Sequence, residues 1–176
     1  MTNKIFQARF SEPEVLKKYL TPDECASISE TFCDQTALSE WNNPLIDDAK
    51  LNPSKFCLKA LREGGLGENL FGQQIIPILE KAKSDLGLRA KYVLMKIIEP
   101  EQHENTLVRC GQVAEGPTVS EFGISGVYLH DVINDKVLVN CVAGHLVRTK
   151  PAESLTGTCQ QGAVLSSVCL YDIQEP

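Results

Sequence analysis

The chain has 176 residues, and 17 basic against 23 acidic side chains leave a formal net charge of −6. At 43% hydrophobic and 23% charged it has the make-up of an ordinary globular protein, and its length lets it bury roughly 70% of its unfolded surface without a metal or disulfide staple. The acidic balance, with no cluster of Lys and Arg, excludes a groove that tracks nucleic-acid phosphates. One domain over residues 1–176 is expected, with residues 1–89 mainly helical support and 90–176 mainly antiparallel strands.

In chain order, Met1 to Phe10 alternates polar and apolar residues and lacks the continuous apolar core of a signal peptide. "KIFQARF" reads as an edge strand. Thr21-Pro22-Asp23-Glu24 combines an N-cap Thr, a first-turn Pro and a Glu three residues after the cap, the pattern of a capping box. The helix it opens is expected to run to about Asp34, with Cys25, Ile28 and Phe32 on one face. Asn52-Pro53 opens a second short helix through Phe56 and Leu61, closed by Gly64-Gly65. A third carries Ile75, Leu79, Ala82 and Leu86, with Pro77 in its first turn or kinking it.

From Ala90 the pattern changes to period two with β-branched enrichment: "KYVLMKI", "NTLVRCGQV", "FGISGVYLHDV", "KVLVNCVAGHLVRT" and "GAVLSSVCLYDI". Turn residues at Glu99-Pro100, Glu115-Gly116-Pro117, Asn134-Asp135 and Gly157 to Gly162 separate these strands. Helices first and antiparallel strands after make an α+β chain. No apolar run approaches the ~20 residues of a membrane-spanning helix, which predicts a cytoplasmic protein without a membrane partner.

Seven cysteines (25, 33, 57, 110, 141, 159 and 169) form no Cys-x-x-Cys pair and have no His at zinc spacing, so they read as reduced, core-packed residues. "REGGLGENLFG" fails as a phosphate loop, because no Lys-Ser/Thr follows it and no predicted strand precedes it; its glycines read as a helix end. Cys141 and His145 suggest a nucleophile pair, but four residues of strand span about 13 Å, too far for one hydrogen bond. His145 reads as a sheet histidine. His130-Asp131 points to opposite faces and marks a strand end, and Asp47-Asp48 and Glu99/Glu101 read as solvated charge.

"YLTPDECASISETF" resembles the opening of the iron(II)/2-oxoglutarate dioxygenases of the prolyl-hydroxylase type. Further pieces follow in that family's order: "DAKLN", "LGENLFGQQIIPILEKA", "YVLMKIIEP", "ISGVYLHD", "VAGHLVRTKPAESL" and "GAVLSSVCLYDI". The resemblance implies a distorted double-stranded β-helix, a jelly roll of eight strands in two facing sheets supported by N-terminal helices. It also implies two histidines and a carboxylate on iron, with an Arg or Lys for the oxoacid. At the matching positions this chain offers His103-x-Asn105, Thr156 in place of the distal His, and Val164 in place of the Arg.

The implied function is a catalytically inert dioxygenase-like scaffold with a binding role toward an unknown small molecule or protein, needing no cofactor. Its degenerate pocket is expected to gather Thr156, Val164, Leu107 and Tyr128, and to hold no metal. One alternative is an active hydroxylase using iron(II) and 2-oxoglutarate with His103, Asn105 and His145 as ligands. Another is an unrelated α+β interaction protein.

Overall fold

The protein is described by a computed structural model covering residues 4–61, 69–154 and 164–166. Its contacts divide into two compact units, Met1–Ile98 and Glu99–Pro176.

The first unit opens with α1 (Lys4–Phe10), α2 (Pro13–Leu16) and α3 (Pro22–Ser29). "KIFQARF" is thus a helix rather than an edge strand: seven residues are too few to separate the two periods, and Ala8 is the one it buries. The capping box of α3 forms as its residues dictate. Glu24 N–H donates to Thr21 Oγ1 at 3.4 Å, and Thr21 N–H donates to Glu24 Oε2 at 2.9 Å. The helix stops at Ser29, short of Asp34, and buries none of its residues.

The chain continues through β1 (Gln35–Ala37), α4 (Pro44–Leu51), β2 (Phe56–Ala60), β3 (Leu70–Phe71), α5 (Ile75–Ala82), α6 (Leu86–Arg89) and β4 (Tyr92–Lys96). Asn43 caps α4 by accepting from Leu45 N–H at 3.0 Å, with Pro44 in the first turn. The helix expected from Asn52 is instead a single 3-10 turn, Pro53–Lys55, leading into β2. Phe56, Cys57, Leu58 and Ala60 are all buried. A strand covered on both faces is apolar almost throughout, so period two is lost and a helix looks equally good.

These strands form one antiparallel sheet in the order β1-β4-β2-β3. Leu38, Ile46, Ala49, Phe56, Leu58, Ile75, Leu79 and Leu94 are fully enclosed and make its core, with Trp41, Leu70 and Tyr92 at the margin. Pro77 lies in the first turn of α5, where no intrahelical N–H is lost.

The second unit holds β5 (His103–Arg109), β6 (Gln112–Asp131), β7 (Lys136–Pro151) and β8 (Val164–Ser166), antiparallel and in consecutive order. The β5–β6 turn is Cys110-Gly111, both at positive φ (49° and 76°), as a two-residue hairpin turn requires. Glu115-Gly116-Pro117, expected as a turn, runs inside β6. The β6–β7 turn is held by Asp131, whose carboxylate accepts from Ile133 N–H, Asn134 N–H and Asn134 Nδ2. Those bonds, the Asn134 side chain first, hold the Asp131 carboxyl below its usual range.

This is not a jelly roll. A jelly roll passes the chain back and forth between two sheets. Here β1 to β4 stay in one sheet, and β5 to β8 form a meander of neighbours in another.

Candidate functional site

Cross-strand register decides which side chains of β6 and β7 meet. Glu121 lies opposite Arg148, Ser120 opposite Thr149, and Val119 opposite Lys150. Alternation then puts Arg148, Lys150 and Glu121 on one face, with Ser120 and Thr149 on the other. The two hydroxyls bond each other at 2.9 Å, with Thr149 only 1% exposed, which pins the register under the charged face.

On that face Arg148 Nη2 pairs with Glu121 Oε1, and Lys150 Nζ donates to the Ser154 carbonyl. Burial pushes the Lys150 ammonium below its ordinary value, and the negative charge of Glu121 only partly opposes this. A partly desolvated cation next to a guanidinium fork is a receptor for anionic oxygens.

A second feature lies in the first unit. β2 and β3 pair as a hairpin, Cys57 opposite Phe71 and Leu58 opposite Leu70, and the glycine-rich "REGGLGENLFG" connects them. What precedes those glycines is a strand and not a helix, which corrects one ground for rejecting a phosphate loop, while the other stands, since no Lys-Ser/Thr follows them. Lys59, half-buried near the end of β2, stands just before this segment. Residues 62–68 lie outside the described residues.

The residues singled out from the sequence are dispersed. His103 and Asn105 are exposed on β5, and Asn105 Oδ1 accepts from the next residue's N–H. His103 faces Thr118, which faces Pro151 on β7. His145, packed against the Phe122 ring at 5.8 Å, is six residues away along β7, about 20 Å. Among the described residues no group of three or more His, Cys, Asp and Glu gathers to hold a metal.

Leu107 lines a cavity of about 240 Å³ with Ala114, Thr118 and Pro151. Tyr128 is ten residues beyond Thr118 on β6, about 33 Å, stacked on His130 at 6.2 Å. Val164 faces Thr149, and Thr156 lies outside the described residues. Cys57 is buried, and that burial pushes its thiol up. Cys110 and Cys141 are exposed, against the expectation that the cysteines pack in the core; Cys159 and Cys169 lie outside the described residues.

Comparison with known proteins identifies what this arrangement belongs to. A family model described as the ATP-binding domain of eukaryotic glutathione synthase matches residues 2–170. The chain belongs to this family. Glutathione synthetase of Homo sapiens is 39% identical over 170 residues, covering 93% of this chain and 35% of its own length. The chloroplastic glutathione synthetase of Solanum lycopersicum is 34% identical over 171 residues, covering 96% and 30%. A glutathione synthetase-like effector from Globodera pallida, solved in its apo form, shares the fold with a TM-score of 0.67 at 21% identity, over 94% of this chain and 33% of that one. The chain spans about a third of the length of the curated relatives it matches.

These findings overturn the dioxygenase resemblance, both as an inert scaffold and as an active hydroxylase, and with it the unrelated interaction protein and the leaning away from an enzyme. Nothing in them supports iron(II) or 2-oxoglutarate. The pieces behind that resemblance are generic: Thr-Pro-Asp-Glu is a helix cap found on any fold, and "VAGHLV" is an ordinary strand. No helix among the described residues is long and apolar enough to cross a membrane.

Proposed function

We propose that this chain is the nucleotide-binding part of an ATP-dependent ligase of the glutathione synthetase type, with Arg148 and Lys150 receiving phosphate oxygens. The family match over residues 2–170 carries this reading. Glutathione is a peptide, and condensing a carboxylate with an amine in water runs uphill, so its synthesis has to be coupled to a triphosphate.

The donor set fits such a ligand. Two cations one residue apart share a face of β7, and for Lys150 the cost of burial exceeds the attraction of Glu121. An anion there restores the ammonium that burial disfavours, so binding itself returns the Lys150 pKa upward. Mg²⁺ is ordinarily held by one or two carboxylates plus substrate phosphates, and Glu121 is the carboxylate placed beside the cations.

Calorimetry and thermal unfolding of the 176-residue chain with ATP and Mg²⁺ test the reading. Nucleotide at 100 times its dissociation constant adds about 2.7 kcal/mol of stability. Lys150→Ala is expected to weaken binding at least tenfold, and Lys136→Ala, at the exposed β6–β7 turn, to leave it unchanged. Affinity in the wild type should fall with rising pH earlier than an ordinary lysine titrates, and Lys150→Arg should abolish that fall. A wild-type chain that shows no response to millimolar ATP and Mg²⁺ sinks the proposal.

A further inference from the structure

Beyond Glu121 and Arg148 strands β6 and β7 run on as a two-stranded ribbon that carries two registers. At its tip Asp131 pairs with Lys136 and His130 with Val137; at its base Glu121 pairs with Arg148 and Ser120 with Thr149. Continued straight down, the tip register would set Glu121 against Leu146, Ser120 against Val147 and Val119 against Arg148. The base is two residues out of step with it. Irregularities after Ser125 and after Leu129 take up the difference, leaving Ala143 and Leu138 of β7 with no residue opposite.

A hairpin turn ordinarily fixes the register of its strands, and burial of one face guards it, but here the turn dictates a register that the base does not adopt. The ribbon between is indifferent. From Phe122 to His130, and from Val137 to Val147, it contains no Asp, Glu, Lys or Arg. Exposed apolar residues lie on both faces, Phe122, Ile124 and Val142 on one and Val127, Leu129 and Leu146 on the other, so a slip costs it little. The choice is made at the base. Ala152 N–H donates to the Pro117 carbonyl at 2.9 Å, and by alternation Ser120 and Thr149 are then a close pair whose side chains meet while their backbones bond elsewhere. Their hydroxyls bond at 2.9 Å, with Thr149 1% exposed. In the tip register Ser120 would face the methyl groups of Val147, and that bond is lost.

We propose that Ser120 and Thr149 are positioning residues whose bond selects the base register over the one the turn dictates, and so gathers Arg148, Lys150 and Glu121 into a receptor for phosphate. The inference rests on the nucleotide reading above and names what assembles that face. A slip of two residues keeps the three charges on one side of the sheet, because side chains alternate with period two. It offsets Arg148 from Glu121 by two residues of strand, about 7 Å, and carries Lys150 to a place opposite Pro117.

Register and affinity are to be read in the same 176-residue chain. Interstrand Hα–Hα cross-peaks in NMR report the register, Ser120 to Thr149 in the base register and Ser120 to Val147 after the slip, and calorimetry with ATP and Mg²⁺ reports binding. In Thr149→Val the first cross-peak is expected to fall to about a tenth and the second to replace it, with ATP affinity down about tenfold, in step with the fraction left in the base register. Thr149→Ser, which returns the hydroxyl, should restore both. Thr106→Val, which removes an exposed hydroxyl from β5, should change neither. A bond that only stabilised the sheet would lower the melting temperature without moving a cross-peak.

If Thr149→Val does not fold, Ser120→Ala is read in the same way. Three results overturn the proposal: the base register kept with wild-type affinity, affinity lost with the base register kept, or the register changed with affinity kept. A wild type that does not bind ATP sinks the nucleotide reading, and the cross-peaks alone then uphold or overturn the hold of this pair on the register.

Discussion

The two units are built on opposite principles. In the first, six fully buried apolar side chains from β4, α4, α5 and the segment after β1 close around Phe56 and Leu58 of β2. In the second, only Leu107, Val119 and Val147 among the described apolar residues are buried, each still 7–8% exposed, and all lie at the base of the sheet. Two sheets with the same strand count thus differ in what holds them: packing for one, backbone ladders and cross-strand pairs for the other. The charged face of Arg148, Lys150 and Glu121 sits where the ladder is best anchored, above the buried Ser120–Thr149 bond. The lesson is that a sheet can fix a charged face through register alone, with no core beneath its far end.

The comparison breaks most easily at two phenylalanines. Phe56→Ala removes a fully enclosed ring and should cost about 3–5 kcal/mol in denaturant unfolding. Phe122→Ala trims an exposed ring on the ribbon and should stay within about 0.5 kcal/mol in the isolated chain. Equal costs would mean that the ribbon has a core of its own.

A smaller effect is expected at the margin of the first core. The Arg89 guanidinium lies 4.5 Å from the centre of the Trp41 ring, with the Lys50 ammonium at 5.1 Å. Arg89 also donates to the Ala82 and Lys83 carbonyls, both at 2.6 Å, closing the end of α5. Arg89→Ala removes a ring contact and two charged hydrogen bonds from a half-buried place, and should cost about 2 kcal/mol. Trp41, the single tryptophan, reports it directly: its emission should shift in Arg89→Ala and stay put in Phe122→Ala. An unmoved spectrum would show that the stack contributes nothing.

The contrast also explains what could be read from the sequence. The capping box at Thr21, the helix through Ile75, Leu79 and Ala82 (which ends there, Leu86 opening the separate α6) and the strand character after Ala90 were legible because each rests on neighbours in the chain. β2 was not. Enclosed on both sides, it shows neither period two nor a polar face, and Pro53 beside it imitates a helix start. That misreading propagated: with β2 taken for a helix, the glycines after it lost the strand a phosphate loop needs. The Arg148, Lys150 and Glu121 face was hidden for a different reason, since Glu121 and Arg148 meet only through a register that a separation of 27 positions along the chain does not reveal. The sequence signal available was Arg-x-Lys on a strand, two cations forced onto one face.

The smallest effect concerns α3, an element of the first unit that is held like the second. It buries no residue, so its start depends on the box of Thr21 and Glu24. Hydrogen bonds from the Thr21 backbone N–H, and next from its hydroxyl, hold the Glu24 carboxyl below its usual range. A carboxyl depressed in the folded state contributes stability that is present above its unfolded pKa and is lost as pH falls through the folded one. Thr21→Ala should therefore cost about 1 kcal/mol at neutral pH, and the gap to wild type should narrow in acid, once Glu24 is protonated. Because no core residue is involved, the loss should appear as faster hydrogen exchange confined to residues 24–29, with exchange in β2 and β4 unchanged. Faster exchange in β2 as well would show that α3 is coupled to the core around Phe56, and that the first unit unfolds as one piece from its N-terminal helices onward.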